Sequence, residues 1–463
     1  MNSSRNMKKF FIFSLICASA LGFTSCSGEE DDIFEATAAE RLNAASALYS
    51  ARLTAQPNGW AMQYYPTYED EAPNGAGYLL LCRFNKDYSV DVSGYNWPKW
   101  EENYNSNQGS TEWVCSYVQQ YRSDTSFWEV ITDNGPVLSF NSYNKVMHLF
   151  SDPDYHETGT GYGGDYEFII TDAPEDASYM MLKGKKRGTY NLLTPVEVGV
   201  DYEEYLTDIR GFQSKMFSEN APTGALLVMG DSIYNMEDAG MGLPSIYPVG
   251  SDKVTNESFY PFLITKRGED YYIRFRDELT KGENSVQEFV YDKEQDIFTA
   301  IGNDKCYIRG DSIGSFFDTS LYTKRRIWEW NENTPSSDSF AELYNQVKTE
   351  FLSLLKFTLT GMYLRVNNDV LTFRVQYRSG KNNQSIDYNF SSSRIDDKVT
   401  LTFDSDNSKV ATNAREKTPS LQSMIDLLQQ EWTLKGGETQ FNLNTLRLVS
   451  STHSDVWFTI NLK

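Results

Sequence analysis

The sequence predicts an α+β protein that is mainly β, with antiparallel sheets (sandwich or partial barrel) each preceded by a helix, in two or three modules. Short apolar runs of period two recur along most of the chain, as half-buried strands require. Runs with apolar spacings of three and four alternate with them at four places, and each is followed by strands. The length of 463 residues, with 40% hydrophobic and 14% aromatic content, exceeds what one core needs and excludes general disorder.

Residues 1–25 read as a signal peptide. Arg5, Lys8 and Lys9 form a basic start, and the apolar stretch from Phe10 to Gly22 is too short to span a bilayer. It ends in Phe23-Thr24-Ser25-Cys26, which resembles the lipobox of bacterial lipoproteins and marks Cys26 as the lipidation site. Residues 26–34 form an acidic tether, with Glu29-Glu30-Asp31-Asp32 next to the anchor. Anionic leaflets repel such a run, so it does not serve bilayer affinity. It resembles the export signal that sends Bacteroidota lipoproteins to the outer face of the outer membrane. The expected location is therefore the outer membrane, lipid-anchored and facing the cell exterior.

The first module is expected over 35–194. Ala38, Leu42, Ala45, Leu48, Tyr49 and Leu53 give a helix that Pro57-Asn58-Gly59 stops. Strands follow at 60–65 and 77–84, with a hairpin turn at Asn85-Lys86-Asp87 leading into 88–92. Further strands are expected at 112–121, 126–132, 136–140, 145–150, 165–171, 178–183 and 187–193. Pro98 and the asparagines at 95–104 break either period, so that segment reads as a loop. The middle module, 195–330, opens with a helix carrying Tyr205, Ile209, Phe212 and Met216. The C-terminal module, 338–463, opens with a helix whose apolar face holds Phe340, Leu343, Tyr344, Val347, Phe351 and Leu354, after a polar boundary at 331–338. A last helix is expected at Ser420–Trp432, before strands at 446–451 and 455–462.

The chain carries 64 acidic against 42 basic residues, a net charge of −22, and three of the bases lie in the signal peptide. Such a surface repels phosphate backbones, so nucleic acid is excluded as a partner. Cys82, Cys115 and Cys306 remain after the anchor, with no metal-type spacing. They allow one disulfide, Cys82–Cys115 within one module, or three free thiols, the reading we favour.

Catalytic signatures are sparse. The three histidines, His148, His156 and His453, form no HExxH, and neither GxSxG nor a phosphate-binding GxxxxGK[ST] occurs. Gly159-Thr160-Gly161-Tyr162-Gly163-Gly164 spells GxGxxG, but the residues after it continue as a strand where a dinucleotide site needs a helix. Asp152, Asp154, His156 and Glu157 cluster within six residues, and Ca²⁺ is the cation such hard ligands would hold. The same residues also suit a solvated turn, and the reading with no cofactor is preferred.

The aromatics carry the binding lead. Tyr95, Trp97, Trp100 and Tyr104 stand among Asn, Glu and Lys, as a platform for a sugar ring requires: CH groups stack on the ring while polar neighbours take hydroxyls. Trp328-Glu329-Trp330 puts both indoles on one face of a strand, a second candidate platform. Strand aromatics serve equally as core.

The lipobox and acid run, Ala38-Ala39-Glu40-Arg41-Leu42, Gln56-Pro57-Asn58-Gly59-Trp60, Phe84-Asn85-Lys86-Asp87, Gly163-Gly164-Asp165-Tyr166-Glu167-Phe168 and Leu182-Lys183-Gly184-Lys185-Lys186 together resemble an uncharacterised family of Bacteroidota surface lipoproteins, a domain of unknown function. The resemblance implies association with a TonB-dependent transporter and its SusD-like lipoprotein, and hence capture of an oligosaccharide or peptide. It carries no catalytic residues. The expected function is a non-catalytic accessory to nutrient import. A surface hydrolase of the same nutrient and a structural subunit without its own ligand are the alternatives. In the same phylum Asp231-Ser232-Ile233 and Asp311-Ser312-Ile313 resemble O-glycosylation acceptors.

Overall fold

A computed structural model describes residues 36–68, 75–105, 110–133, 135–153, 161–217, 224–251 and 259–463. The signal peptide, the acidic tether and Cys26 lie outside the described residues.

Helix α1 (Ala38–Leu53) starts at a capping box: Glu40 N–H donates to Thr37 Oγ1 at 3.3 Å while Thr37 N–H donates to Glu40 Oε2 at 2.9 Å. It leads through Gly59, whose φ of +71° and approach to the Cys82 carbonyl leave no room for a side chain. Nine strands follow: β1 (Trp60–Tyr64), β2 (Tyr78–Phe84), β3 (Ser89–Asn105), β4 (Ser110–Phe127), β5 (Glu129–Thr132), β6 (Pro136–Ser139), β7 (Glu167–Asp172), β8 (Met180–Gly184) and β9 (Tyr190–Pro195). They form one antiparallel sheet in the order β4-β3-β2-β1-β9-β8-β7-β6-β5. That is an up-and-down barrel order in which first and last strands pair and the seam lies between β4 and β5. Ser46 of α1 donates to the Val130 carbonyl of β5, so the helix lies beside that seam.

Helix α2 (Tyr202–Met216), capped by Asp201, opens the second unit. Its strands are β10 (Ala225–Met229), β11 (Ser232–Glu237), β12 (Ser245–Pro248), β13 (Phe262–Arg267), β14 (Asp270–Lys281), β15 (Asn284–Asp292), β16 (Ile297–Ala300) and β17 (Cys306–Gly310). The order β12-β11-β10-β17-β16-β15-β14-β13 again pairs the first strand with the last. Here the seam is stitched by Tyr260 N–H to the Pro244 carbonyl (3.0 Å) and Phe262 N–H to the Gly242 carbonyl (2.8 Å). Tyr202 and Leu206 of α2 pack on the back of the first sheet with Ala61 and Leu81, while Ile209 and Met216 enter the second core.

The third unit closes completely. After α3 (Ile313–Asp318) comes β18 (Trp328–Trp330), then α4 (Asp338–Glu350). Next are β19 (Thr358–Asn367), β20 (Val370–Ser379), β21 (Asn382–Ile395), β22 (Lys398–Asp406), α5 (Lys409–Lys417), α6 (Pro419–Leu428), β23 (Glu431–Lys435), β24 (Thr445–Ser450) and β25 (Trp457–Leu462). These eight strands form a closed barrel in which β18 pairs with both β19 and β25. The protein is thus mainly β, two half-barrels and a closed barrel, each with an associated helix.

Four expectations need correction. The last helix, expected over Ser420–Trp432, ends at Leu428, and Trp432 lies in strand β23. Residues 95–104 are strand, inside β3, because pairing with β4 accommodates Pro98 in a two-stranded ribbon whose other edge pairs with no strand among the described residues. Residues 145–150 are a turn and a 3₁₀ segment (His148–Phe150), held by Asn144 rather than by a neighbouring strand. Helix α4 is followed by a π-helical stretch, Phe351–Leu355, ended by Lys356 at φ +61°. Cys82 and Cys306 are buried free thiols, and burial raises both above the ordinary thiol range. Cys82 pairs with Val92 whereas Cys115 pairs with Trp100, eight residues farther along β3 and roughly 26 Å away along the strand, so a Cys82–Cys115 bridge is excluded.

Candidate functional site

The β3–β4 hairpin outgrows its sheet. Pairing of β3 with β2 ends at Ser93, but β3 and β4 stay paired to Asn105↔Ser110. A bulge between Gly94 and Asn96 marks the departure. At about 3.3 Å per residue the ribbon continues for roughly 35 Å.

Register sorts the aromatic residues expected there. Pairs Pro98↔Tyr117, Trp100↔Cys115, Glu102↔Trp113 and Tyr104↔Thr111 share one face; Trp97↔Val118, Lys99↔Ser116, Glu101↔Val114 and Asn103↔Glu112 share the other. Val118 packs against the first core, which fixes the Trp97 face as the inner one at that rung. Trp97 and Trp100, expected on one platform, therefore occupy opposite faces. Trp100 and Tyr104 instead share a face with Trp113 and Tyr117. Those four positions alternate between strands, one per two residues, so they step about 6.7 Å along the ribbon. Tyr95 belongs elsewhere: at the bulge it joins Tyr121 and Val200 against the cluster of Ala61, Leu81, Tyr202 and Leu206 under α2. The signal that would have identified Trp113 and Tyr117 was in the sequence, since the two stand four residues apart in the segment expected as a strand at 112–121 and therefore share a face.

The second expected platform is core. Trp328 and Trp330 do share one face of β18, but that face is the barrel interior, where they are 0% and 1% exposed. Trp328 Nε1 donates to Ser320 Oγ at 2.8 Å. Trp330 stacks on Phe373, centroids 5.6 Å apart and 5° between planes, and is tilted on Phe458. A three-residue strand closing a barrel needs bulky inward residues to fill the lumen, and the tryptophans supply them.

Of the cation-binding candidates, Asp154, His156 and Glu157 lie outside the described residues. Asp152 is described, and its Oδ2 accepts a 2.6 Å hydrogen bond from the Tyr143 hydroxyl. Asp165, beside the glycine run, accepts from Lys186 N–H (3.1 Å) and Arg187 N–H (2.7 Å); burial, which these bonds oppose, nevertheless raises its pKa. The strand β7 follows that run, as expected against a dinucleotide motif. Ser312 is the N-cap of α3, accepting from Ser315 N–H at 3.3 Å, which gives its hydroxyl a structural role; Ser232 is exposed at the start of β11.

A cleft of about 390 Å³ lies between the β9–α2 connection and the β13–β14 turn, lined by Glu197, Asp201, Glu204, Tyr205, Asp208 and Lys266 among others. Its walls are tied to each other. Glu197 Oε1 accepts Gly268 N–H (2.8 Å), and Asp208 Oδ2 accepts both Lys266 Nζ (2.7 Å) and the Tyr271 hydroxyl (2.8 Å). Partial burial opposes ionisation of Asp208, but these two donors hold its carboxyl below the usual range, and the same contact raises Lys266. Burial pushes Tyr205 up to about 12. The polar groups of this cleft serve the junction of the first two units.

No helix among the described residues is long and apolar enough to cross a membrane. No curated protein matches the chain. Among solved structures, a putative DNA polymerase III beta subunit from Eubacterium rectale aligns at 9% identity, covering 90% of this chain and 97% of its own, with a TM-score of 0.13. BBS1N in complex with ARL6DN aligns at 11% identity over 87% of this chain and 97% of its own, with a TM-score of 0.10. Neither overlap is a shared fold. The profile of a family described as a domain of unknown function, DUF4302, matches residues 30–293, from the tether through β15. That is more than half of the sequence, and the chain belongs to the DUF4302 family.

Proposed function

We infer that the protein is a non-catalytic, lipid-anchored accessory to an outer-membrane nutrient importer, holding an oligosaccharide or peptide at the cell surface. The observation that carries this reading is the outer face of the β3–β4 ribbon, where register gathers Trp100, Tyr104, Trp113 and Tyr117 into one row. Four aromatic positions in steps of about 6.7 Å suit an extended polymer better than a compact metabolite. The signal segment, Cys26 and the acid run supply the anchor and the address. Tethering beside a pore raises the local concentration of a bound polymer without requiring tight binding, the arithmetic of effective concentration. The partners in this reading are the outer-membrane lipid, a TonB-dependent transporter and its SusD-like lipoprotein.

Replacing Trp100 and Trp113 together by alanine should weaken binding at least tenfold to whichever of starch, xylan, mannan or casein peptides the parent retains, with Tm unchanged. Trp97→Ala, on the opposite face, should have less effect. Loss of binding in step with loss of Tm, or a larger effect from Trp97, would remove the ribbon from the reading.

A further inference from the structure

The connection between β6 and β7 is built on a buried asparagine. Asn144 is 0% exposed, and both ends of its amide are used. Nδ2 donates to the Asp124 carbonyl and to Ser126 Oγ, both at 3.1 Å, while Oδ1 accepts from Val146 N–H (2.9 Å) and Met147 N–H (3.0 Å). Its main chain holds His148 from both sides: Asn144 N–H donates to His148 Nδ1 at 3.1 Å, and its carbonyl accepts His148 N–H at 2.9 Å. Because Nδ1 is an acceptor, the neutral imidazole carries its proton on Nε2. Burial favours that neutral form and lowers the His148 pKa, against the opposing effects of the Asn144 main-chain hydrogen bond and of Asp152.

Around this fixed imidazole two tyrosines form a stack. His148 lies 4.7 Å from Tyr166 at 25° and 5.3 Å from Tyr143 at 35°. Tyr143 and Tyr166 are nevertheless 55% and 42% exposed. Packing the core does not require exposed rings, and a surface turn does not require a fully satisfied buried amide beneath it. Together they make a rigid aromatic platform whose ordering cost is met before any ligand arrives.

We propose that the Tyr143–His148–Tyr166 stack is a second binding site, separate from the β3–β4 ribbon, for a neutral pyranose ring. The exposed tyrosine faces take the CH face of the sugar. The His148 Nε2–H, which has no hydrogen-bond partner among the described residues, donates to a ring hydroxyl. A net charge of −22 disfavours an acidic sugar, which selects a neutral one. The proposal rests on the reading of the protein as an oligosaccharide binder and on nothing about its membrane partners.

The test is affinity electrophoresis of the full mature chain in mild detergent, through gels containing xylan, mannan or amylopectin. Trp100→Ala/Trp113→Ala protein should retain a weaker retardation in at least one gel. Adding Tyr166→Ala should abolish that remainder while Tm stays within about 2 °C, since the ring is exposed and its aromatic contact among the described residues is with His148. Retardation unchanged by Tyr166→Ala, a loss that follows Tm, or no retardation of either chain would overturn the site. Failure to recover an importer with the protein would overturn the accessory role instead, and would leave this result standing.

Discussion

Trp330→Ala should destabilise the C-terminal barrel by about 3–5 kcal/mol, the range for deleting a large buried aromatic. For a unit of this size that lowers Tm by about 10 °C or more. The indole stacks on Phe373 and tilts against Phe458, and Phe458 in turn stacks on Phe340 of α4 (4.3 Å, 5°) and meets Trp432 edge-on (5.1 Å, 89°). Removing it opens a cavity that rings pinned by other rings cannot collapse to fill. A ligand platform would behave oppositely, losing binding with stability intact. Chemical denaturation followed by tryptophan fluorescence separates the two: an unchanged midpoint would mean the side chain is not core.

The second large effect concerns the junction of the second and third units. Phe441 lies in the β23–β24 connection of the barrel yet is fully buried in the core of the preceding half-barrel, 5.4 Å from Phe298 and 5.7 Å from Phe217. Asp296 fastens the same loop, accepting from Gln440 N–H (2.7 Å) and the Thr439 hydroxyl (3.0 Å). Phe441→Ala should cost about 3–5 kcal/mol and uncouple the two units. In calorimetry their joint transition should split into two. Gly310→Ala attacks the contact from the other side, since its Cβ would stand 2.1 Å from the Gln440 carbonyl oxygen. It should give the same split. One undivided transition in both variants would show that the units are held together by something other than this loop.

What the sequence made legible was periodicity, and what it hid was pairing. The helix at Ala38–Leu53 and the strands from Trp60 to Phe84 announce themselves through apolar spacing and the Pro57-Asn58-Gly59 stop. The fate of Trp328 and Trp330 does not: alternation shows that they share a face, but only barrel closure through β18–β25 shows that the face is inward. At 95–104 the amides and Pro98 that argue for a loop are tolerated because the ribbon's other edge pairs with no strand among the described residues, a fact of topology. The same topology moved Trp97 away from Trp100 and recruited Trp113 and Tyr117. The Tyr143–His148–Tyr166 stack left still less trace, because it depends on Asn144 being buried, and asparagine in a turn is ordinarily a surface residue.

The barrel order common to the three units bears on how such a protein would work. The first strand pairs with the last in each, though only the third unit closes into a complete barrel. The β3–β4 ribbon and the β6–β7 connection both project from the first unit, the one that follows the tether. Two weak sites on one unit would hold a polymer through avidity, gaining about 10²–10⁴ over either alone where one chain reaches both.

An accessory role beside an importer is open to test by purifying the C-terminally tagged protein from native outer membranes in mild detergent. If the protein serves an importer, a TonB-dependent transporter and its SusD-like lipoprotein should be recovered with it in near-equal amounts, with the tagged chain acylated at Cys26. Recovery of the tagged chain alone, from membranes in which such a transporter is abundant, would contradict that role.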